Sequence, residues 1–308
     1  MSKLCFAILA HNNRECLADQ VRNLQIFSPG AQIVLYNGGT DTTLADNLKV
    51  EVCPYSMPLS HSKVTYFHRD IMQWLYETDR FCDFLVCLDS DMLLIKPGLD
   101  LYLEKIMAQS SYMGTNFQEV VPGTPWDIGR RFHYKWQNGW QTIFGIPNPF
   151  GCFNPAQTFR WTYIERFVHF PKLQELFQKV ERTRLGSTEE IIYSTLAVSM
   201  ACSPINNPGS KAMQLRRHSP LEIQAYIADP DVFFLHKVGM EFDAHDRKII
   251  RALSAGESID FNAIDTSYLQ QQTGKKLPRK SYVWLIDLYS YIRPEEKRVL
   301  HHGSTRWH

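Results

Sequence analysis

Short apolar runs alternate with helix-like patterns over the first hundred residues. Residues 4–10 are apolar throughout, as is typical of a strand covered on both faces, and a second strand is predicted over 32–36. Between them, residues 14–27 carry apolar side chains at helical spacing and end before Ser28, Pro29 and Gly30, which break helices. This alternation predicts right-handed crossovers and a largely parallel sheet.

Three further elements complete this half: a short strand over 50–53, a helix over 62–77, and a buried strand over 84–88. In parallel sheets, ligands bind beyond the carboxyl ends of the strands. We therefore expect one sheet edge to be lined by the polar groups at 11–13, 37–41 and 89–91.

The second half differs from the first in composition and pattern. Residues 121–161 are rich in Pro, Gly and aromatic side chains, helical patterns predominate over about 156–200, and one more strand is predicted over 231–235. Because no linker or repeat interrupts the chain, we predict one domain with two lobes and a charged, helical C-terminal extension. The predicted bounds are 1–242 for the domain, with its two halves at 1–100 and 101–242, and 243–308 for the extension.

Composition excludes several classes of protein. With 308 residues and 44% hydrophobic side chains, the chain can build a core and is not disordered. A formal charge of +1 argues against nucleic acid or an anionic membrane as the main partner. No apolar run is long enough to span a bilayer, and the seven scattered Cys fit reduced thiols, so we expect a cytoplasmic protein.

Asp89, Ser90 and Asp91 form the most informative motif. Two carboxylates two positions apart at a strand end project to the same side, where they repel unless a cation compensates their charge. Oxygen ligands suit Mg²⁺ or Mn²⁺, and these ions also bind phosphate oxygens, so Asp89 and Ser90 are nucleotide-binding candidates as well. The alternative is a solvated turn or a helix cap, which the flanking apolar runs disfavour.

His236 and Lys237 directly follow the predicted strand at 231–235. His236 is the candidate for a third metal ligand, and its imidazole would favour Mn²⁺ over Mg²⁺; the alternative is a histidine at the core edge bound by backbone groups. Lys237 is placed to neutralise a phosphate, or it is an ordinary surface lysine.

Glu189 and Glu190 open a helical pattern after Ser187 and Thr188. Either glutamate could act as a general base at the rim of a pocket. A structural interpretation competes, because Ser187 and Glu190 have the spacing of a capping box and a helix N-terminus favours negative charge.

The remaining candidates would bind a nucleotide or an acceptor. His11 and Asn12 suit a base or ribose unless they only cap a helix, and Asn37 and Gly38 form a turn that a ligand can approach closely. Lys63 could meet phosphate or be a solvated charge. The aromatic rings between 126 and 144 either stack an acceptor sugar or pack onto the sheet; the stacking candidates are Trp126, Trp136 and Trp140.

In order and spacing, these motifs resemble the GT-A-fold glycosyltransferase superfamily over residues 4–238, without matching a specific member. The similarity rests on the strand ends at 11–13, 37–38, 89–91 and 234–237 and on the acidic helix start at 188–190. It implies an α/β, GT-A-like, Rossmann-type fold with a mostly parallel sheet flanked by helices. The catalytic domain at 1–242 would then have a nucleotide-binding half at 1–100 and an aromatic-rich acceptor half at 101–242, followed by a helical C-terminal tail.

The resemblance also implies roles for single residues. His11, Asn12, Asn37 and Gly38 would hold the base and ribose of the nucleotide. Asp89, Asp91 and His236 would bind the ion that bridges the diphosphate. Glu190 would be the catalytic base of an inverting enzyme, although the family usually has Asp at this position, which leaves Glu189 as an alternative.

The expected activity is metal-dependent transfer of a hexosyl or N-acetylhexosaminyl group from a UDP-sugar to an acceptor hydroxyl. Two rivals come from other classes. A phosphatase of the haloacid dehalogenase type also has D-x-D after a strand, but here Leu93 occupies the position of its Thr or Val and no Asp-Asp pair exists. A catalytically silent nucleotide-sugar-binding module is the other.

Overall fold

A mixed sheet forms the centre of the fold in the computed structural model, which describes residues 3–60, 64–136, 139–183, 185–261 and 264. The described strands are β1 (Leu4–Ala10), β2 (Gln32–Asn37), β3 (Glu51–Val52), β4 (Phe84–Asp89), β5 (Met92–Leu94), β6 (Tyr112–Glu119), β7 (Phe150–Arg160), β8 (Ile205–Asn206) and β9 (Phe234–His236). Seven of them form the sheet in the order β3-β2-β1-β4-β7-β6-β8, and β5 pairs separately with β9.

Most neighbours in the large sheet are parallel. Strands β3, β2, β1 and β4 run in one direction, and only β7 lies antiparallel to its two neighbours. The predicted fold class, a largely parallel α/β sheet flanked by helices, is confirmed. The register places Leu9 beside both Tyr36 and Asp89, so that the ends of β1, β2 and β4 meet at one edge.

Helices cover both faces of the sheet and bury an apolar layer on each side. The larger layer is rich in aromatic rings and includes the helices that follow β3 and β7, whereas the smaller one lies under the first helix. The described helices are α1 (Arg14–Phe27), α2 (Thr65–Glu77), α3 (Leu99–Ile106), α4 (Asp127–Trp136), α5 (Gly139–Phe144), α6 (Trp161–Val168), α7 (Leu173–Thr183), α8 (Glu189–Ser199), α9 (Pro220–Ala228) and α10 (His245–Ser254).

The predicted elements agree closely with the structure in the first half and less in the second. Strand β1 and helix α1 have the predicted bounds, whereas the helical pattern assigned to 156–200 is wrong at its start, because residues 156–160 belong to β7. The strand predicted over 231–235 begins at Phe234 and includes His236.

Helix α10 lies beyond residue 242, where we expected the catalytic domain to end. It nonetheless belongs to the compact unit that extends to Phe261, and the division at 242 otherwise stays a prediction. Most of the predicted tail lies outside the described residues. None of the described helices combines the length and the hydropathy needed to cross a membrane.

Candidate functional site

The two strand pairings at the sheet edge bring Asp89, Asp91 and His236 together. Asp89 ends β4, Asp91 precedes β5, and β5 pairs with β9 so that Met92 lies opposite His236. Ligand atoms of the two carboxylates and the imidazole all lie within 4.8 Å of one another. Nε2 of His236 is 3.5 Å from Oδ1 of Asp91.

The electrostatics of this group suit a cation. Burial, together with the charge of Asp91, raises the pKa of Asp89 to about 7. Burial lowers the pKa of His236, so its imidazole is neutral and its nitrogen lone pair can bind a metal. Two carboxylates and one imidazole could hold a divalent ion such as Mn²⁺ or Mg²⁺.

Glu189 and Glu190 lie at the start of α8 and are both buried. Oγ1 of Thr65 donates to Oε2 of Glu189 at 3.1 Å, and the backbone N–H of Asn154 donates to the carboxylate of Glu190. Burial raises the pKa of Glu189 to about 8, and burial together with Glu189 raises that of Glu190 well above its usual range. The charge of Asp89 raises both values further, so the glutamates and the aspartates share one electrostatic environment.

The capping box weighed for Ser187 and Glu190 is absent. Thr188 is the N-cap of α8, and no side chain caps the helix. Ser187 instead adopts a left-handed backbone conformation with φ of 58°. The hypothesis that Glu190 serves as the second residue of a capping box is therefore wrong.

The loops after β1 and β2 pack tightly against each other. Nδ1 of His11 donates to the carbonyl of Gly38 at 2.8 Å, and a Cβ on Gly39 would lie 1.8 Å from the carbonyl oxygen of His11. The Asn37 side chain donates to Asp41 O at 2.7 Å and accepts from Gly39 N at 3.0 Å, so this amide stabilises its own turn. Asn12 is exposed beside this turn.

Two further residues near this edge, Asn13 and Lys63, were also considered in the sequence. Asn13, rather than Asn12, caps helix α1, and its side chain accepts from Cys16 N. Lys63 lies outside the described residues.

The predicted acceptor wall is wrong for two of its three tryptophans. Trp136 and Trp140 are buried, and their indole N–H groups donate to Thr183 Oγ1 at 3.3 Å and to Pro147 O at 2.7 Å. Both rings belong to the apolar core because amphipathic helices α4 and α5 pack them inward. Trp126 is partly buried and packs over Gly151, and its stacking role stays a prediction.

Asn154 is a site residue that the sequence analysis missed. Its side-chain amide donates to the carboxylate of Asp89, and its Oδ1 accepts from Gln157 Nε2 at 2.9 Å. Tyr112 Oη donates in turn to Gln157 Oε1 at 2.8 Å, which fixes this buried series of side chains. The signal was a group of polar residues, including Asn154 and Gln157, within a mostly apolar segment.

Gln20 was missed as well. Its Nε2 donates to the carbonyls of Asp89 and Met92, both at 2.9 Å, and so holds the two ends of the Asp-Ser-Asp turn. The signal was its place three residues after Leu17, on the apolar face of α1, where an amide needs buried partners.

A groove of about 890 Å³ runs between α2 and α7 and reaches Thr65 and Thr188 beside Glu189. Aromatic rings, amides and one guanidinium line it. Among them are Tyr66, Arg69, Gln73, Gln174, Phe177 and Gln178.

Comparisons with known proteins concern the fold. No protein-family model and no curated protein matches the sequence. Among solved structures, galactosyltransferase LgtC in complex with donor and acceptor sugar analogs is similar at 12% identity over 83% of this chain and 97% of that chain, with a TM-score of 0.45.

Two further solved structures are similar at the same level. An active-site mutant of LgtC gives 11% identity, the same coverage of both chains and a TM-score of 0.45. The glycosyltransferase GlyE of Streptococcus pneumoniae TIGR4 gives 12% identity over 88% of this chain and 64% of that chain, with a TM-score of 0.43. All three of these solved structures are of glycosyltransferases.

Proposed function

We propose that the chain is a metal-dependent glycosyltransferase that moves a sugar from a UDP-sugar to an acceptor hydroxyl. The observation that carries this proposal is the group formed by partly buried Asp89 and Asp91 with buried His236, beside the buried Glu189 and Glu190. Carboxylates that share a buried site repel one another, and a bound dication relieves that repulsion.

The residues present fit such an ion. Asp89, Asp91 and His236 would hold it, and it would supply Lewis-acid stabilisation of the departing diphosphate. Lys237, whose Nζ is 3.8 Å from Oδ2 of Asp91, is placed to meet a phosphate oxygen. Mn²⁺ is the proposed ion because an imidazole joins the two carboxylates.

The donor nucleotide would lie along the same edge. Asn12 and His11 would offer polar groups to a base or ribose, and Asn37 and Gly38 would complete this end of the nucleotide site from the β2 loop that packs against His11. Ser90, between the two aspartates, would face the same ligand. The hexosyl or N-acetylhexosaminyl group of the donor would then lie between the candidate metal ligands and the two glutamates.

Glu190 would take the proton from the acceptor hydroxyl, and attack opposite the diphosphate would invert the anomeric carbon. In the metal-free site, burial and the neighbouring charge of Glu189 raise the pKa of Glu190 well above its usual range, which favours the protonated carboxyl. A cation that compensated the charge of Asp89 would remove one of the contributions that raise this pKa and would so favour the ionised, basic form of Glu190. Glu189, bound by Thr65, is the alternative base.

The acceptor would be a saccharide bound in the groove between α2 and α7. Aromatic rings and amides are the side chains that bind sugars, and both kinds line this groove. The groove reaches Thr65, which contacts Glu189, and therefore leads toward the start of α8, where both glutamates lie.

A donor screen tests the proposal. The purified protein is incubated with UDP-sugars and a mixture of simple saccharide acceptors, with and without Mn²⁺, while UDP release and thermal midpoint are measured. We expect Mn²⁺-dependent UDP release, a midpoint raised by UDP only when Mn²⁺ is present, and an inverted anomer by NMR.

Other results would contradict specific parts of the proposal. Phosphate release from a generic phosphomonoester without any response to UDP-sugars would favour a phosphatase. UDP binding without transfer or hydrolysis would favour a binding module. Retention at the anomeric carbon would remove Glu190 from its role as the base.

A further inference from the structure

Helix α10 places a fully buried guanidinium, that of Arg247, behind the turn that carries Asp89 and Asp91. We propose that Arg247 is a positioning residue that sets the geometry of this turn for binding a divalent cation. The inference rests on the proposed metal site and extends it to a helix that the sequence placed outside the catalytic domain.

Arg247 joins three segments of the site. Its Nη2 donates to the carbonyl of Ser90 at 3.1 Å, and its Nε donates to the carbonyl of Gly239 at 2.6 Å. Its Nη1 forms an ion pair with buried Asp19 at 2.8 Å. One side chain thus links the turn between the aspartates, the segment that follows His236, and helix α1.

The Ser90 contact completes the hydrogen bonding of the turn. The carbonyls of Asp89 and Met92 accept from Gln20, and the carbonyl of Asp91 accepts from Val238 N at 2.9 Å. Ser90, the residue between the two metal-ligand candidates, receives its hydrogen bond from Arg247. Because the Ser90 carbonyl belongs to the peptide unit that leads into Asp91, holding it helps to set the direction in which Asp91 leaves the backbone relative to Asp89.

The segment after His236 is held by the same helix. Gly239 N donates to Oδ2 of Asp246 at 3.0 Å, while Gly239 O accepts from Arg247, so adjacent residues of α10 hold both polar groups of Gly239. The glycine is required there, because a Cβ would lie 2.4 Å from that of Ala244. Arg247 therefore links the two chain segments that carry the three ligand candidates.

Only a guanidinium can make these contacts together. Its donors form a planar fork that reaches two carbonyls and a carboxylate at once, whereas the ammonium of lysine is a compact point charge on a flexible four-carbon stem. Outer-shell partners of metal ligands typically contribute about 10- to 100-fold to metal affinity. We expect Arg247 to contribute within this range.

The test measures Mn²⁺ affinity directly, without nucleotide or sugar, by following the electron paramagnetic resonance signal of free Mn²⁺ during titration. Arg247→Lys keeps the positive charge opposite Asp19 and removes the fork. Arg251→Gln is the matched control, because Arg251 also pairs with Asp19, at 3.4 Å, and donates to Phe242 O instead of the turn. Urea unfolding of each variant reports stability separately.

Arg247→Lys is expected to raise the Mn²⁺ dissociation constant about 10- to 100-fold in protein that is still folded. Arg251→Gln should stay within about twofold of the wild type, whatever its stability. An unchanged Mn²⁺ affinity in folded Arg247→Lys would overturn the inference and leave Arg247 as a purely structural residue.

A second pair of variants covers the case in which Arg247→Lys does not fold. Asp19→Asn with Arg247→Met removes both buried charges, and Asp19→Asn alone keeps the guanidinium on Ser90. Weakened Mn²⁺ binding in the double variant but not in the single one supports the inference, and equal affinity in the two contradicts it.

The outcomes also separate this inference from the proposed function. Wild-type protein that binds Mn²⁺ but transfers no sugar would refute the transferase, and the Arg247 comparison would still be decisive. Normal transfer by the wild type together with wild-type Mn²⁺ affinity in Arg247→Lys would refute only the positioning role.

Discussion

The Asp-Ser-Asp turn and the aromatic stretch at 126–144 both looked functional in the sequence, yet the structure uses them differently. The turn brings Asp89 and Asp91 to a partly buried sheet edge beside two glutamates, where burial, together with the charge of Asp91, raises the pKa of Asp89 to about 7. In the aromatic stretch, Trp136 and Trp140 are buried and their indole N–H groups already have acceptors within the chain.

The difference teaches that chemical type alone does not mark a site. A polar group that already has a hydrogen-bond partner within the fold needs no ligand, as the indole N–H of Trp140 shows by donating to Pro147 O. Carboxylates that lie close together repel one another, and a bound cation would balance their charge. Substitutions at the glutamates should therefore change catalysis, whereas substitutions at the buried tryptophans should change only stability.

The largest effect is expected for Glu190→Gln. Loss of the proposed base should lower kcat about 10²- to 10⁴-fold while the affinity for the donor stays nearly unchanged. Steady-state kinetics with calorimetric donor binding checks this, with Glu104→Gln on the exposed face of α3 as a control. A larger loss in Glu189→Gln than in Glu190→Gln would assign the base to Glu189 instead.

The second prediction concerns pH and the stability of the metal-free protein. The folded pKa of Glu189 is about 8, above its usual 4.5, so the native state binds the extra proton between these values. Stability should therefore be full below about pH 4.5 and fall as pH rises toward 8, by at most about 4 kcal/mol for this group.

Urea unfolding of the metal-free protein at pH 5 and pH 8 measures this slope. Glu189→Gln cannot ionise, so the decrease between the two pH values should become smaller, and saturating Mn²⁺ should also reduce it. An identical slope in the wild type and in Glu189→Gln would show that this carboxyl is not held protonated by the fold.

Trp140→Phe tests whether the aromatic stretch at 126–144 packs the core instead of binding an acceptor. Loss of the indole hydrogen bond and of ring volume should lower the free energy of unfolding by about 1–2 kcal/mol. The KM for donor and acceptor should stay within about twofold, because the ring is buried in the core. A raised acceptor KM at unchanged stability would restore Trp140 to the acceptor wall.

The smallest effect is expected in the groove between α2 and α7. Gln174→Ala removes an exposed amide that lines it, and the acceptor KM should rise about two- to fivefold with kcat and donor KM unchanged. Glu175→Ala, the exposed neighbour outside the groove lining, is the matched control. Equal KM values in both variants would place the acceptor elsewhere.

The first half of the fold could be predicted because its signals are local. Strand β1 is an unbroken apolar run, and α1 has helical spacing followed by a turn at Ser28-Pro29-Gly30, so both bounds were correct. Residues 156–160 were assigned wrongly, because β7 passes directly into α6 at Trp161 without Gly or Pro between them.

The candidate site was partly predictable for the same reason. Strand ends carry Asp89, Asp91 and His236, and their grouping follows from β5 pairing with β9. Asn154 and Arg247 could not be assigned, because each acts through tertiary contacts with segments far away in the sequence. Local patterns indicate which groups reach an edge, whereas long-range packing decides what holds them there.

Manganese anomalous diffraction from crystals soaked in Mn²⁺ and UDP tests the central claim most directly. The account predicts one strong anomalous peak within coordination distance of Asp89, Asp91 and His236, with the UDP diphosphate bound to the same ion. A peak elsewhere, or UDP bound away from this edge with no Mn²⁺ between the aspartates, would contradict it.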